Sequence, residues 1–374
     1  MANLLSSKPV QPDIPLFKVL MAPPAALMPR LQEVLYSGQI SEGQPVAEFE
    51  TRFGEWLGSP HCLAFYSGTA ALHIALLLAG VQRGDEVVST AMTAEPTNLA
   101  ILHAGGIPRW ADVDPANGNL TAASIEAAIT PRTRAIVVVH YGGIPAPLAS
   151  ITALAARYGL PVIEDAAHAL GARYAGLAIG NHSPFVMFSL QAIKHMTTVD
   201  GGMLTCADAS LLPRGRRLRW FGIDRHASRT SVDVTEVGFK YHMNNVNATI
   251  GLVQLAHIAP ALTRHQANGR YFDDILPRIP GLSACQFEPA AEPSYWFYTL
   301  LCDDPDGLAR HLSAHGIGNS KAHQRNDRHT VFAASRCELP GLDNFYARML
   351  HIPCGWWVDD AAREYIVEVL RRGW

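Results

Sequence analysis

The sequence has 374 residues, with 30 basic and 33 acidic side chains and a formal net charge of −3. Hydrophobic residues make up 48% of the chain and charged residues 17%, enough apolar sequence for a large core. A net charge so close to zero gives no reason to expect nucleic acid or an anionic membrane as a partner. The six cysteines are scattered without metal-site spacing, as expected for reduced residues of a cytoplasmic protein. No signal-peptide pattern opens the chain, and no apolar run has the length of a membrane span.

The first part of the chain is predicted to be an arm followed by helices. Residues 1–30 are rich in proline and indicate an N-terminal arm. From Met28 to Leu57 the apolar residues recur at helical spacing, with an interruption at Gly38–Gly43. The sequence therefore predicts two consecutive helices after the arm.

A hydroxyl-rich turn follows a short predicted strand over Cys62–Phe65. Ser67, Gly68 and Thr69 open an apolar helix that continues to Ala79. Free N–H groups and the positive end of the helix dipole make such a turn a good phosphate site. The alternative is an ordinary Ser/Thr helix cap without a ligand.

The next segments alternate between strand and helix. The predicted strands cover Asp85–Ser89, Ile107–Asp112, Arg134–His140 and Leu160–Glu164, and the predicted helices cover Thr97–Ala104, Thr121–Thr130 and Leu148–Tyr158. This order favours an α/β fold with a mostly parallel sheet that is covered by helices on both faces. Ligands in such folds bind beyond the carboxyl ends of the strands.

Asp165 lies at one of these carboxyl ends, and His168 follows three residues later. An aspartate in this place can pair with a protonated pyridine nitrogen and keep the ring an electron sink. The alternatives are a helix cap for Asp165 and a satisfied core histidine for His168.

Lys194 stands between two predicted strands, Phe185–Leu190 and Met203–Cys206, with a tight turn at Asp200-Gly201-Gly202. A lysine that loses solvation has a lowered pKa and becomes an amine nucleophile. Such an amine forms Schiff bases with a substrate carbonyl or with pyridoxal 5′-phosphate (PLP). The alternative is an ordinary lysine at a strand edge.

The remaining pattern predicts a smaller α+β domain over 251–374, after a large domain over 31–250. Its predicted elements are a long helix from Asn244 to beyond Tyr271, a strand over Tyr295–Leu301, and helices over Asp306–His315 and Asp359–Arg371. Three arginines could anchor a substrate carboxylate or phosphate, or could be plain surface residues: Arg219, Arg225 and Arg325.

Three motifs in this order resemble the DegT/DnrJ/EryC1/StrS family of PLP-dependent sugar aminotransferases, over roughly residues 28 to 370. They are Ser67–Leu72, Glu164–His168, and Ser189–Lys194 followed by Gly201-Gly202. The resemblance implies the fold-type I architecture, with a seven-stranded type of sheet and a smaller C-terminal domain. It also implies a homodimer whose two chains share each active site.

The resemblance assigns roles to individual residues. Lys194 would carry the internal aldimine with PLP, Asp165 would pair with the pyridine nitrogen, and His168 would lie beside the ring hydroxyl. The cofactor phosphate would be bound by Gly68, Thr69 and Ser189. L-Glutamate would donate the amino group, leaving pyridoxamine 5′-phosphate, and a keto-sugar, commonly nucleotide-linked, would accept it. No metal is implied.

Three departures from the family pattern concern the substrate and the cofactor. Ala94 stands where relatives often carry an aromatic residue that stacks on the cofactor ring. Lys240, within Gly238–His242, replaces an asparagine that reaches the partner's cofactor phosphate, and we expect the lysine to take over that contact. The segment Lys321–His329 differs from the usual substrate loop, and its His323 and Arg325 are candidate substrate contacts.

Other functions stay open at this point. A PLP-dependent sugar dehydratase is less favoured, because those relatives replace the lysine with histidine and here His195 is only the neighbour of Lys194. Cyclitols and other keto acceptors also fit an aminotransferase. A non-catalytic regulator with the same fold would not need the intact set of Lys194, Asp165 and Ser189.

Overall fold

The computed structural model describes residues 14–225 and 227–374. The first thirteen residues of the predicted arm lie outside the described residues. Residues 14–23 run along the C-terminal part of the protein. Ile14 forms a parallel bridge with Ile317, and the Pro15 carbonyl accepts a hydrogen bond of 2.8 Å from Trp357 Nε1.

The described residues form alternating strands and helices. The strands are β1 (Cys62–Phe65), β2 (Glu86–Thr90), β3 (Ile107–Ala111), β4 (Thr133–Val139), β5 (Val162–Asp165), β6 (Arg173–Tyr174), β7 (Leu177–Ala178), β8 (Phe185–Ser189), β9 (Gly202–Cys206), β10 (Leu282–Ala284), β11 (Ala291–Glu292), β12 (Tyr298–Cys302) and β13 (Met349–Ile352). The helices are α1 (Pro24–Tyr36), α2 (Gln44–Leu57), α3 (Gly68–Leu78), α4 (Glu95–His103), α5 (Ala122–Ala128), α6 (Leu148–Tyr158), α7 (Leu212–Leu218), α8 (Asn245–Ile275), α9 (Pro305–Ala314), α10 (Pro340–Arg348) and α11 (Asp360–Arg371).

A seven-stranded sheet in the order β1-β9-β8-β5-β4-β2-β3 forms the centre of the described chain. Strand β9 is antiparallel to both of its neighbours, and the other six strands run in one direction. Strands β1, β2, β5 and β9 are buried along their whole length, as expected for a sheet covered on both faces. The prediction of a mostly parallel α/β sheet is confirmed.

The sheet register places the candidate residues at one edge. Asp165 ends β5 and lies beside Val139 of β4 and Met187 of β8. Ser189 ends β8 opposite Gly202 of β9. Because these strand ends are neighbours, their side chains meet at the carboxyl edge of the sheet.

A second sheet of three strands, in the order β10-β12-β13, forms the C-terminal part with α9, α10 and α11. The long helix α8 connects the two parts and packs against α1 and α2. The segment Asn245–Arg278 is long and apolar enough to cross a membrane by length and composition, contrary to the sequence-based expectation. Half of the most apolar 18-residue stretch of this segment is nevertheless buried inside the protein, as in the core helix of a folded domain.

One predicted strand begins later than the sequence pattern indicates. The pattern predicts a strand from Tyr295, but β12 begins at Tyr298. Tyr295 has a φ of 49°, and the flanking amides of Ser294 and Trp296 donate hydrogen bonds of 3.0 Å to Gly143 and Gly142. Ser294 and Trp296 therefore bond to the loop after β4 instead of to the C-terminal sheet.

Candidate active site

A cavity of about 360 Å³ opens at the carboxyl ends of β4, β5 and β8. The first turns of α3 and α4 and the loop after β8 form most of its wall. Two residues from the C-terminal part, Trp296 and His323, complete the wall. His323 is one of the site residues predicted from the sequence. Six other predicted site residues also line the cavity: Gly68, Thr69, Asp165, His168, Ser189 and Lys194.

The start of α3 forms an anion cradle. Ser67 caps the helix, and its Oγ accepts a hydrogen bond of 3.1 Å from the Ala70 amide. The N–H groups of Gly68 and Thr69 are in the first turn, where no intrahelical carbonyl can accept from them. A Cβ added to Gly68 would lie only 3.2 Å from the Ser189 Cβ. Glycine therefore lets the helix N-terminus approach the end of β8 and leaves room for a bound phosphate.

Asp165 is buried and hydrogen-bonded on both oxygens. Its Oδ2 accepts from Thr97 Oγ1 at 2.7 Å, and its Oδ1 accepts from the Ala167 amide at 3.0 Å. Burial raises the pKa of Asp165, while these two hydrogen bonds and the charge of Lys194 oppose the rise. A carboxylate held in this way is a suitable acceptor for the N–H of a protonated pyridine ring.

The hydroxyls of Thr93 and Thr97 form a chain of hydrogen bonds that ends at the Asp165 carboxylate. Because Thr97 donates its single hydroxyl proton to Asp165, it must accept from Thr93 Oγ1, which lies 2.8 Å away. The Thr93 carbonyl in turn accepts from Asn326 Nδ2 at 2.8 Å. The segment around Asn326 is thereby fixed to the turn that supports Asp165.

Lys194 follows β8 in a tight turn, in which its amide donates to the Gln191 carbonyl at 2.9 Å. The turn is closed by Leu190, which exchanges backbone hydrogen bonds with Gly201 and Thr198. Burial lowers the pKa of Lys194 to about 7, and the nearby Asp165 carboxylate opposes this effect. At neutral pH the Lys194 amine is therefore uncharged in a substantial fraction of the molecules, and the uncharged amine is the nucleophilic form.

His168 lies between several rings at the cavity wall. Its ring stacks on Trp296 at 4.0 Å between centroids and is parallel to the ring of His323 at 5.5 Å. Burial holds the pKa of His168 well below its usual range, and the charge of Lys194 lowers it further. Because Nδ1 accepts from the Gly142 amide at 3.4 Å, the proton of the neutral ring is on Nε2.

His323 enters the cavity from the segment after α9. Burial and the charge of Lys194 lower its pKa to about 4, and its Nε2 is buried without a hydrogen-bond partner among the described residues. A neutral imidazole with an unused nitrogen is suited to a polar group of a substrate. Asn326 holds this segment, since its amide donates to the Ala91 carbonyl at 2.8 Å and its Oδ1 accepts from Asn98 Nδ2 at 2.8 Å.

Four other candidate residues are not part of the cavity wall of this chain: Arg219, Arg225, Arg325 and Lys240. Arg219 is buried and forms ion pairs with Glu50 and, at 2.7 Å, with Glu42. Arg225 pairs with Glu42 at 3.3 Å and lies over the Trp220 ring.

Arg325 and Lys240 differ in their surroundings. Arg325 forms ion pairs with Asp327 and Asp343, so its guanidinium is already matched by carboxylates. Lys240 is exposed on a segment that forms an antiparallel bridge with Trp220. Within one chain, neither of them contacts the anion cradle.

No motif in the sequence marks Trp296, Thr97 or Thr93 as a site residue. Trp296 falls within a predicted strand, and no local pattern indicates the positive φ of Tyr295 that precedes it. Thr93 lies before helix α4 and Thr97 in its first turn, and the hydrogen bond between their hydroxyls depends on how the chain enters the helix. Ala94 lines the cavity as the sequence indicated, and the aromatic wall is provided by Trp296.

The fold and the site together define a PLP-dependent enzyme of fold type I. The anion cradle, the strand-end carboxylate and the partly buried lysine fit the phosphate, the ring nitrogen and the aldehyde of this cofactor, because each is the complementary partner of one of these groups. The sequence model of the DegT/DnrJ/EryC1/StrS aminotransferase family matches residues 25–371, and the chain belongs to this family.

Proteins of known structure and a curated relative are similar along most of the chain. AtS13 from Actinomadura melliaura is 40% identical with a TM-score of 0.93, covering 98% of this chain and 100% of that chain. The sugar aminotransferase CalS13 from Micromonospora echinospora is 39% identical with a TM-score of 0.92, covering 96% and 100%. The spore coat polysaccharide biosynthesis protein SpsC of Bacillus subtilis (strain 168) is 32% identical over 357 residues, covering 91% of this chain and 92% of SpsC.

These similarities confirm the predicted family, fold class, enzyme class and cofactor. The protein is a PLP-dependent aminotransferase of a family that acts on sugars.

Proposed function

We propose that this enzyme moves the amino group of L-glutamate to the carbonyl of a nucleotide-linked keto-sugar, with PLP attached to Lys194. The proposal is carried by one observation: Lys194, a partly buried lysine with a pKa of about 7, shares a cavity with an anion cradle and with Asp165. Bound PLP supplies the aldehyde that takes up the amino group and the ring that withdraws electrons from the reacting carbon.

The first turn of α3 and Ser189 hold the cofactor phosphate. Two free amides, at Gly68 and Thr69, and two hydroxyls, at Thr69 and Ser189, are available for its oxygens, and the helix dipole adds to the attraction. This arrangement would fix the phosphate end of the cofactor in the cavity that Lys194 also lines. His168 Nε2–H is a donor for the ring hydroxyl.

Asp165 keeps a proton on the pyridine nitrogen. Its buried carboxylate already accepts hydrogen bonds from Thr97 and Ala167, and a cationic ring N–H would add a charged partner in direct contact with it. The hydroxyl of Thr97 supports the ionised form of Asp165 by donating to Oδ2. The electron-withdrawing power of the ring therefore depends on both residues.

With its nitrogen free, Lys194 would act as the general acid and base that moves a proton of the amino donor. A side chain with a pKa of about 7 both accepts and returns a proton near neutral pH, which is the best match for a general acid and base. Burial excludes bulk water that would otherwise compete for this proton.

The charge of the cavity supports a shared active site. Among the described residues that line it, Lys194 is the single lysine or arginine, whereas Asp165, Glu95 and Asp200 are acidic. Glutamate and a nucleotide diphosphate are both anionic and need cationic partners. We therefore propose a homodimer in which the second copy supplies these cations.

Lys240 is the residue that we propose to reach the partner's cradle. Its side chain is exposed, and large exposed apolar residues lie on the same segment or beside it, including Tyr66, Phe221 and Val237. Apolar surface of this kind, close to a lysine that forms no ion pair with any residue of 14–225 or 227–374, suits a second copy of the chain. The cytoplasmic location stays a prediction from the cysteines.

Reduction of the holoenzyme with borohydride, followed by peptide mapping, tests the position of the cofactor. The pyridoxyl label should be found on Lys194, which lines the cavity. A label on the exposed Lys240 or on Lys321 would refute the assignment. Lys194→Ala treated in the same way is the control and should retain no label.

Absorbance spectra test the reaction. L-Glutamate alone should convert the spectrum of lysine-bound PLP to that of pyridoxamine 5′-phosphate, and one member of a panel of nucleotide-linked keto-sugars should restore it. Restoration by a free cyclitol ketone alone would replace the proposed acceptor. A sugar that is consumed without conversion of glutamate would indicate a dehydratase, and an unchanging spectrum would indicate a regulator.

A further inference from the structure

Trp296 is held in place from several directions. It is buried, and its indole Nε1–H donates to the carbonyl of Ile193, the residue before Lys194, at 2.8 Å. Its ring stacks on Phe17 at 4.7 Å between centroids. Its backbone amide donates to the Gly142 carbonyl at 3.0 Å. These contacts hold the ring in one orientation, next to the turn that carries Lys194.

The amine of Lys194 lies 3.6 Å from the centre of the Trp296 ring. No described residue accepts a hydrogen bond from this nitrogen. A cation close to the face of an indole is attracted by the negative charge of the ring face, and the attraction grows when water is excluded. The ring face is thus the nearest partner of Nζ in the described chain.

Several titratable groups surround Lys194. They are Asp165 at the end of β5, His168 after it, His195 on the lysine turn itself, His323 from the C-terminal part, and Glu95 and Asp200 on the cavity wall. Burial holds the three histidines in the neutral form. Asp165 and the Trp296 ring face are therefore the main favourable partners for a charged Lys194 amine.

We propose that Trp296 is a positioning residue that receives the Lys194 amine whenever it is not bonded to the cofactor, and holds it by a cation–π contact over the cavity. This inference rests on the proposed attachment of PLP to Lys194. A hydrogen-bond acceptor at this place would hold the proton and fix the direction of the amine. A ring face attracts the charge without a fixed direction, so the amine stays free to turn back to the reacting carbon.

The direction of a pKa change separates this role from simple packing. If the ring face stabilises the charged amine, its replacement by leucine lowers the pKa of Lys194 below about 7. If the indole only fills space, its loss admits water and raises the pKa toward the ordinary value of a lysine. The two explanations predict opposite shifts.

The test uses the apoprotein and competitive acetylation. Acetic anhydride is applied across pH 5–10, and peptide mass spectrometry measures the modified fraction of Lys194 at each pH. For Trp296→Leu we expect the pKa to fall by about 0.4 to 1.5 pH units, the equivalent of a typical cation–π energy. Trp296→Phe keeps a weaker ring face, so the pKa of Lys194 should fall less in this variant. The phenylalanine variant also provides the test if the leucine variant does not fold.

Trp356 provides the matched control, because Lys18 lies 5.2 Å from its ring on another part of the chain. Trp356→Leu should leave the pKa of Lys194 unchanged. An unchanged or raised pKa in both Trp296 variants would overturn the proposal. Since acetylation of the apoprotein needs no cofactor, this result is independent of the borohydride experiment, which tests the attachment of PLP.

Discussion

Replacement of Lys194 by methionine should stabilise the apoprotein, and the gain should shrink as the pH rises. The change removes the charge and keeps an unbranched side chain of similar length. Burial lowers the pKa of Lys194 from 10.5 to about 7, so the folded protein disfavours the charged amine.

The direction in which stability changes with pH follows from the number of protons bound by the folded and the unfolded chain. Below pH 7 the amine is charged in both the folded and the unfolded chain, and the full cost of burying the charge is present. Between pH 7 and 10.5 the unfolded chain binds the proton and the folded protein does not, so the stability of the wild type rises with pH. The difference between the two pKa values corresponds to about 5 kcal/mol below pH 6 and to about 2 kcal/mol at pH 9.

Urea unfolding of the two apoproteins between pH 6 and 9 measures this gap. Fluorescence of the tryptophans follows unfolding, and the gap in unfolding free energy between Lys194→Met and wild type should narrow by about 3 kcal/mol over the range. Lys18→Met, at an exposed lysine, is the control and should show a gap that does not change with pH. A constant gap for Lys194→Met would mean that the amine is not desolvated, and the reasoning about its nucleophilicity would fail.

Three further predictions concern the cofactor. Asp165→Asn should retain PLP but lose turnover by about 10²-fold or more, because asparagine cannot hold the ring proton, and wild-type turnover would refute this role. Thr97→Val removes the donor to Asp165, so the acidic limb of the pH–kcat/KM profile should move upward by about 1 to 2 pH units, whereas Thr97→Ser should not move it. Lys240→Ala should weaken PLP binding measured by equilibrium dialysis and make the apo dimer dissociate more readily in sedimentation, and a variant unchanged in both would remove Lys240 from the site.

The sheet and the lysine turn could be predicted because their signals are local. Alternating apolar strands and amphipathic helices indicate a covered parallel sheet, and the sheet order then brings Asp165 and Ser189 to one edge. The glycines at 201 and 202 indicated the hairpin between β8 and β9 that presents Lys194.

The rest of the site depends on contacts between distant segments. Trp296 reaches the cavity because the Ser294 and Trp296 amides bond to residues more than 150 positions earlier in the chain. The sequence is equally uninformative about Arg219 and Arg325, because Glu42 and Asp343, which pair with them, are brought close by tertiary packing. The distinction between a substrate anchor and an internal ion pair therefore requires the fold.

The late start of β12 has a consequence for motion within the molecule. Ser294 and Trp296 bond to the loop after β4, and the Ser294 hydroxyl also donates to the His168 carbonyl at 3.1 Å. These residues precede a strand of the C-terminal sheet, yet they are attached to the large sheet. If the C-terminal sheet rocks relative to the large sheet, the pivot lies after Trp296, and the aromatic wall stays with Lys194 while the cavity changes shape around the substrate.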